Sequence, residues 1–154
     1  MKYKKSKILI LATTICLMML VGCGKKSPEE VLYSRLNDFY ENVDAITTTI
    51  NSIDPNAANA KADMLQNIDA MNNEFSSLQD LEIPSKYSEA APQIAAAIVN
   101  MNESNHLYHQ AFESEEIDQQ TLANAGVYYA NALQSIRNVG QLLMNHPIVT
   151  EEEE

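Results

Sequence analysis

The chain has 154 residues, enough for one domain, and 45% of them are hydrophobic, an ordinary value for a globular protein. Four lysines lie within the first seven positions, so residues 23–154 carry six basic against 21 acidic side chains, a formal charge of −15. A surface this acidic repels phosphate backbones and anionic lipid head groups, which argues against nucleic-acid binding and against adhesion to an anionic membrane surface.

The N-terminal segment has the three parts of an export signal. A lysine-rich start precedes an apolar run of 14 residues, 8–21, and the run ends in Leu20-Val21-Gly22-Cys23. A helix needs about 20 apolar residues to span a bilayer, so the run suits a signal peptide better than a membrane anchor. The four-residue ending resembles the lipobox of bacterial lipoproteins. That resemblance implies that a diacylglyceryl group is attached to Cys23 and that a signal peptide, residues 1–22, is removed.

Two acyl chains hold a protein stably at a bilayer, whereas one holds it only marginally. We therefore expect a lipid-anchored protein on the extracytoplasmic face of the cell membrane, with residues 23–27 as a short linker. The other cysteine, Cys16, lies within the predicted signal peptide. The mature chain would keep one cysteine, which excludes an internal disulfide and leaves packing to stabilise the fold.

The body of the chain has the pattern of helices. Ser27-Pro28-Glu29-Glu30 predicts a capping box, with a first helix that begins at Pro28 and ends before Asp54-Pro55-Asn56. Its apolar residues alternate in steps of four and three, as on a helix that faces a bundle core. They are Leu32, Leu36, Phe39, Val43, Ile46, Ile50 and Ile53.

Three further stretches repeat this spacing. The second ends before Pro84, the third has Pro92 either in its first turn or at a kink, and the fourth begins after a capping Asp118 and ends at His146-Pro147. Their periodic positions are Ala57, Lys61, Met64, Ile68, Met71, Phe75 and Leu78; Tyr87, Ala91, Ile94, Ile98, Met101, Asn105, Tyr108 and Phe112; and Leu122, Gly126, Tyr129, Leu133, Ile136, Gly140 and Leu143.

Four such helices predict an all-α fold, an antiparallel up-down-up-down four-helix bundle over residues 28–145. Helices of about 24 to 28 residues would each be near 40 Å long. We expect a monomeric body, because three neighbours can cover the one apolar seam of each helix. Residues 146–154, which end in four glutamates, are predicted to form a disordered acidic tail.

Three residues interrupt the apolar seams, and a hairpin centred near Glu115 would place them near one level. These residues are Lys61, Asn105 and Gly126, with the threonine run 47–49 nearby. Such a layer either fixes the register of the helices or forms a candidate binding site near the end of the bundle that points away from the membrane. If it only fixes register, replacing Asn105 by Leu should raise the thermal stability.

The sequence has no motif of a catalytic nucleophile, zinc protease, thiol pair or phosphate loop, so we expect no enzyme and no cofactor. Glu103 and His106 form a single ExxH, with His109 one turn further on, but they flank the seam and predict a solvated helix face without a metal. Tyrosines at helical spacing, such as Tyr33 and Tyr40 or the pair Tyr128-Tyr129, predict rings at the core edge with hydroxyls in water.

Two functions are compatible with these features. The first is a non-enzymatic interaction module for an envelope or surface protein, which needs an exposed apolar or aromatic patch. The alternative is a lipoprotein that binds a small ligand or a cation, which needs a concave site of roughly a few hundred Å³.

Overall fold

The computed structural model describes residues 26–113 and 116–145. Cys23, the predicted signal peptide and the predicted tail, residues 146–154, lie outside them. Within the described residues the chain forms four α-helices and no strand, so the predicted all-α fold with four helices is confirmed. The helices are α1 (Pro28–Asn51), α2 (Ala60–Ser76), α3 (Ala90–Glu113) and α4 (Gln119–Asn145), and a 3-10 helix, Ser85–Tyr87, precedes α3. None of them is both long and apolar enough to cross a bilayer.

Two helices begin where the sequence predicts. Ser27 Oγ accepts a hydrogen bond from the Glu30 N–H at 3.2 Å, and Glu30 Oε2 accepts one from the Ser27 N–H at 2.7 Å, which confirms the capping box. At the start of α4, Asp118 Oδ1 accepts from the N–H groups of Gln120 and Thr121, at 3.0 and 3.1 Å. These bonds pair N–H groups that the first turn of a helix leaves without a backbone partner.

The prediction of four helices of matched length is wrong for α2, which has only 17 residues. Asp54 accepts from the N–H of Asn56 at 2.9 Å, and this turn delays the next helix until Ala60, three residues after the predicted Ala57. Pro92 is the third residue of α3 and so lies in its first turn, where its missing N–H breaks no helical bond. The first of the two alternatives for this proline is therefore the correct one.

The predicted seams supply most of the core. All four helices contribute buried residues, together with Leu78 and Tyr87 from the connection between α2 and α3. On α1 the buried residues are the first four of the predicted seam, and Ile46 and Ile50 are partly buried. The buried seam residues of the other helices are Ile68, Met71, Phe75, Ile94, Met101, Phe112, Ile136 and Leu143.

Helices α3 and α4 share a line of small residues that the predicted seams do not include. Its members recur every seven residues and have no exposed surface, and the Ser104 hydroxyl donates to the Ala125 carbonyl oxygen at 2.9 Å. Small side chains let two helices approach closely, and most of the close backbone approaches between helices lie here. The line comprises Ala90, Ala97, Ser104 and Ala111 on α3, and Ala125, Ala132 and Val139 on α4.

Hydrogen-bonded pairs indicate how the helices run. In the two helix pairs below, residue numbers rise on one helix as they fall on the other. The pairs are Tyr33 with Leu143 and Tyr40 with Ile136 between α1 and α4, and Gln93 with Asn138 and Ser104 with Ala125 between α3 and α4.

Candidate functional site

Two tyrosines of α1 connect it to α4. The Tyr33 hydroxyl donates to the carbonyl oxygen of Leu143, and the Tyr40 hydroxyl to that of Ile136, both at 3.0 Å. Seven residues separate the two donors and likewise the two acceptors, so the bonds lie about two helical turns apart on both helices. The expectation that these hydroxyls face water is therefore wrong, because each is bonded to backbone of the opposite helix.

The Leu143 carbonyl is one that a helix leaves unpaired. It lies in the last turn of α4, where carbonyl oxygens lack an intrahelical donor. The residue four positions later, which would donate in a longer helix, is Pro147, and proline has no N–H. Tyr33 supplies the missing donor from α1, so the end of α4 is tied to the start of α1.

A groove of about 470 Å³ lies between α1 and α4. Close backbone approaches between these helices are few compared with those between α3 and α4, because tyrosine side chains occupy the space between them. The groove is open to solvent along one side. It is lined by Tyr33, Leu36, Asn37, Tyr40, Arg137, Gly140, Gln141, Leu143 and Met144.

Gly140 makes room for the second bridge. A Cβ atom built on Gly140 would lie 3.1 Å from the Tyr40 hydroxyl oxygen, tighter than most van der Waals contacts of a side chain. With hydrogen there instead, the hydroxyl can approach the surface of α4 and reach the Ile136 carbonyl. Alanine at position 140 would therefore require the Tyr40 hydroxyl to move by a few tenths of an ångström.

The two tyrosines stay neutral at physiological pH. Burial raises the pKa of Tyr33 to about 12, and its side-chain hydrogen bond with Tyr87 acts in the same direction. Burial also raises the pKa of Tyr40. Their protons already go to α4 carbonyls, so the rings present apolar surface to the groove. Polar groups lie at its rim, on Asn37, Arg137 and Gln141.

The groove also extends onto exposed apolar surface. Met144 is 73% exposed although it lines the groove, and Tyr40 is 39% exposed. Large apolar side chains at the edge of an open groove are typical of surfaces that bind another molecule. We therefore take the α1–α4 groove as the candidate functional site.

Comparison of the chain with protein-family models, with curated proteins and with solved structures found no match. Function is therefore inferred from the chemistry of the groove. Its ionisable side chains are two neutral tyrosines and one arginine, and no activated nucleophile lies beside a base. In residues 26–113 and 116–145, no three His, Cys, Asp or Glu side chains lie together as a metal site would require. The groove is suited to binding by apolar contact.

The structure does not bring Lys61, Asn105 and Gly126 into one layer. Lys61 is exposed, and its ammonium lies 6.0 Å from the centre of the Phe112 ring. Asn105 donates instead to Asp69, which is eight residues, or about 12 Å, from Lys61 along α2. A Cβ atom on Gly126 would meet nothing within 4 Å. Lys61 therefore lies outside the predicted layer, whereas the bond from Ser104 to Ala125 places the next residues, Asn105 and Gly126, near one level. Thr47 and Thr49 donate to carbonyls of α1 itself.

A small polar cluster between α2 and α3 replaces part of that layer. Asp69 Oδ1 accepts from Asn105 Nδ2 at 2.8 Å and contacts His109 Nε2 at 2.7 Å. Burial opposes ionisation of Asp69, but the bonds from Asn105 and His109 outweigh it and lower its pKa. The sequence analysis missed Asp69 because it adjoins the seam residue Ile68 without lying on the seam. The signal that could have identified Asp69 is its acidic side chain on α2, next to a seam position, together with Asn105 and His109 one turn apart on α3.

The ExxH residues fit the solvated face that the sequence predicts. Glu103 and His106 are exposed, and only His109, half-buried against Asp69, takes part in a side-chain contact. Tyr128 is exposed and Tyr129 is half-buried. Neither set of residues borders the α1–α4 groove.

Proposed function

We propose that this protein is an extracytoplasmic lipoprotein, held at the membrane by a lipid on Cys23, and that its helical bundle binds an amphipathic helix of an envelope or surface protein. The binding site is the α1–α4 groove. The observation that carries this proposal is an open, largely apolar groove of about 470 Å³ with the exposed Met144 at its edge. An open groove favours an extended partner over a small ligand, which would be enclosed.

The dimensions of the groove support a helical partner. Its walls run from Tyr33 to Tyr40 on α1 and from Arg137 to Met144 on α4, about 10 Å along each helix axis. Side chains at positions i, i+4 and i+7 of a partner helix cover the same length, and such anchors are how amphipathic helices bind apolar grooves.

The charge of the protein selects among such helices. Residues 23–154 carry a formal charge of −15, so a partner with basic residues on either side of its apolar face is attracted and an acidic one is repelled. Arg137 is the one basic residue that lines the groove, and it favours an acidic or amide side chain at the point of contact. Binding should weaken as salt is added, because salt screens the attraction.

The groove is tested by photocrosslinking in intact cells. A photoreactive amino acid replaces Met144, and the matched control replaces Val99, which is 67% exposed on α3. Position 144 should capture one protein through an amphipathic segment with basic flanks, identified by mass spectrometry of the crosslinked peptide, and position 99 should not. Equal capture from both positions, capture of a second copy of this chain, or capture through a segment of other chemistry would contradict the proposal.

The anchor is tested separately. Replacing Cys23 by Ala should leave a precursor without lipid, and detergent phase partitioning should no longer send it to the detergent phase. Replacing Cys16 by Ala removes the other thiol and should change nothing. If the Cys23→Ala protein partitions as the unaltered protein does, the lipid anchor is wrong, whatever the crosslinking shows.

A further inference from the structure

A second cavity lies at the other end of the bundle. It has a volume of about 310 Å³ and lies between the connection from α1 to α2, the first turns of α2, the end of α3 and the residues before α4. Eight of its nine lining residues are apolar, and the ninth is Lys61. The lining residues are Ile53, Pro55, Ala57, Ala58, Ala60, Lys61, Met64, Phe112 and Ile117.

Lys61 has no ion-pair partner in the part of the chain that the structure describes, although the protein is rich in carboxylates. Among the described residues, no carboxylate oxygen lies within 4.0 Å of its ammonium. The two nearest acidic residues in sequence are engaged elsewhere, since Asp54 accepts from Asn56 and Asp63 accepts from the side chain of Asn59. Lys61 is exposed, so its ammonium is accessible to an anion that arrives from solvent.

We propose that this tip cavity, defined by the residues above, binds a small monocarboxylate with an apolar body, such as a medium-chain fatty acid. The apolar chain occupies the space between Met64 and Phe112, and the carboxylate pairs with the Lys61 ammonium at the edge. This site is separate from the α1–α4 groove, and it does not depend on the proposed helical partner.

The size of the cavity limits the ligand. A water molecule occupies about 30 Å³ in the liquid, so a cavity of about 310 Å³ accommodates roughly ten non-hydrogen atoms. An eight-carbon carboxylate has that size. The cavity lies beyond the last residue of α1, whose 24 residues span about 36 Å from Pro28, so with an anchor at Cys23 a free carboxylate reaches the cavity more readily than the chain of a membrane lipid does.

The acidic surface does not prevent this binding. Fixed charges in water are screened over about 8 Å at physiological ionic strength, so a carboxylate in contact with Lys61 responds mainly to that ammonium. The remaining acidic groups should slow its approach and keep the affinity modest. We expect affinity to change little with salt, since screening weakens the attraction to Lys61 and the repulsion by the acidic groups together.

Methionine methyl groups offer a direct test, because Met64 lines the tip cavity, Met144 lines the α1–α4 groove, and Met71 and Met101 are buried in the core. The full-length chain with ¹³C-methyl methionine, held in a lipid nanodisc, is titrated with sodium octanoate. The Met64 signal should shift in a saturable manner, while the Met144 signal stays in place. A Met144 shift without a Met64 shift would assign the ligand to the groove and overturn this inference.

Two variants and a neutral ligand test the role of charge. Lys61→Gln should weaken octanoate binding by up to about fivefold, because an ion pair at an exposed lysine is screened by solvent. Lys86→Gln is the matched control, because Lys86 also lies over an aromatic ring, 5.0 Å from that of Tyr87, but far from the cavity. Ala58→Met, a change at an exposed lining position, should fill the cavity and abolish the Met64 shift. If 1-octanol binds as tightly as octanoate, or Lys61→Gln binds octanoate unchanged, the carboxylate site is wrong.

Discussion

Helix α4 has one neighbour packed closely against it and another held at a distance. Toward α3 it presents Ala125, Ala132 and Val139, which meet small residues at the same interval of seven. Toward α1 it presents backbone carbonyls, which Tyr33 and Tyr40 reach with their hydroxyls. The first contact is dry and close, and the second leaves a groove of about 470 Å³. Side-chain size on the facing helix sets the spacing in both cases.

This difference separates stability from binding. The α3–α4 contact contains most of the close backbone approaches between helices, so it should tolerate extra volume least. The α1–α4 contact depends on two hydrogen bonds at its ends and should tolerate change in the groove between them. Substitutions on the α3 side of α4 should therefore change mainly the stability of the fold, and substitutions in the groove on its α1 side should change mainly binding.

The largest expected effect is on the α3–α4 side. Replacing Ala97, which has no exposed surface, by Leu should lower the free energy of unfolding by about 2 to 3 kcal/mol, because the added carbons have no space between the two backbones. The matched control, Ala95→Leu, places the same side chain at an exposed position of α3 and should change the stability little. Urea denaturation followed by circular dichroism measures both. Equal stabilities would show that the contact is looser than the structure indicates.

A smaller effect is expected from the bridges to α4. Tyr40→Phe should lower the free energy of unfolding by about 1 kcal/mol, because it removes a hydrogen bond to a backbone carbonyl while keeping the ring. Tyr33→Phe should cost at least as much, because it removes the bond to Leu143 and also the side-chain bond with Tyr87. Tyr128→Phe, at an exposed position, is the control. The same urea titration applies, and no loss in either bridge variant would mean that the hydroxyls do not hold the helices.

The pH dependence of stability tests the Tyr33 bridge without a change of shape. Its pKa is about 12 in the fold against an ordinary value of 10.0, so the unfolded chain loses this proton first as pH rises. The contribution of the neutral Tyr33 hydroxyl to the free energy of unfolding is complete below pH 10.0 and is lost as the pH approaches about 12. We expect a loss below about 1 kcal/mol because solvent screens a partly exposed group. Tyr33→Phe should lose less stability over this window, and identical slopes would contradict the burial of Tyr33.

The smallest effect is expected at the Asp69 cluster. Asn105→Leu removes a donor that lowers the pKa of Asp69, so it should destabilise the fold by a few tenths of a kcal/mol near pH 7, a value limited by the exposure of the cluster. A carboxylate whose pKa is lowered by folding stabilises the fold at pH values above its ordinary pKa, and this contribution is lost as the pH falls and the carboxylate is protonated. The stability difference between Asn105→Leu and the unaltered protein should therefore shrink below about pH 4. Asn100→Leu is the control, since Asn100 bonds only within α3. A deficit that is independent of pH would rule out the charge effect.

The number of helices and most of the core residues could be predicted from the sequence, although the length of α2 could not. Ser27 and Asp118 act through hydrogen bonds to residues within one turn, and Pro28 acts through its own fixed backbone angle, so their effects can be read from neighbours in sequence. The alternation of four and three identified Leu32 to Val43 as core because burial follows helical periodicity. Local rules of this kind do not depend on how the helices assemble.

The sites could not be predicted in the same way. The groove depends on the distance between α1 and α4, which Tyr33 and Tyr40 bridge, and no local pattern gives that distance. Sequence reasoning treated Gly126 and Gly140 alike as seam positions, yet only Gly140 meets a side chain. The sequence alone predicts that Asn105→Leu stabilises the fold if the layer only fixes register, whereas the bond from Asn105 to Asp69 leads us to expect a small loss.

Reversible closure of the groove tests the central claim most directly. Cysteines introduced at Asn37 and Gln141, on opposite walls, are joined in the full-length chain by a bifunctional methanethiosulfonate reagent, with which each thiol forms a reducible disulfide and displaces a sulfinate. A matched control pair at Glu103 and Val127 spans a different surface groove, on α3 and α4. We expect that closing the α1–α4 groove abolishes capture of the partner from position 144 and that reduction of the disulfides restores this capture. Joining the control pair should leave capture intact. Undiminished capture with the α1–α4 groove closed would contradict the proposal that this groove is the binding site.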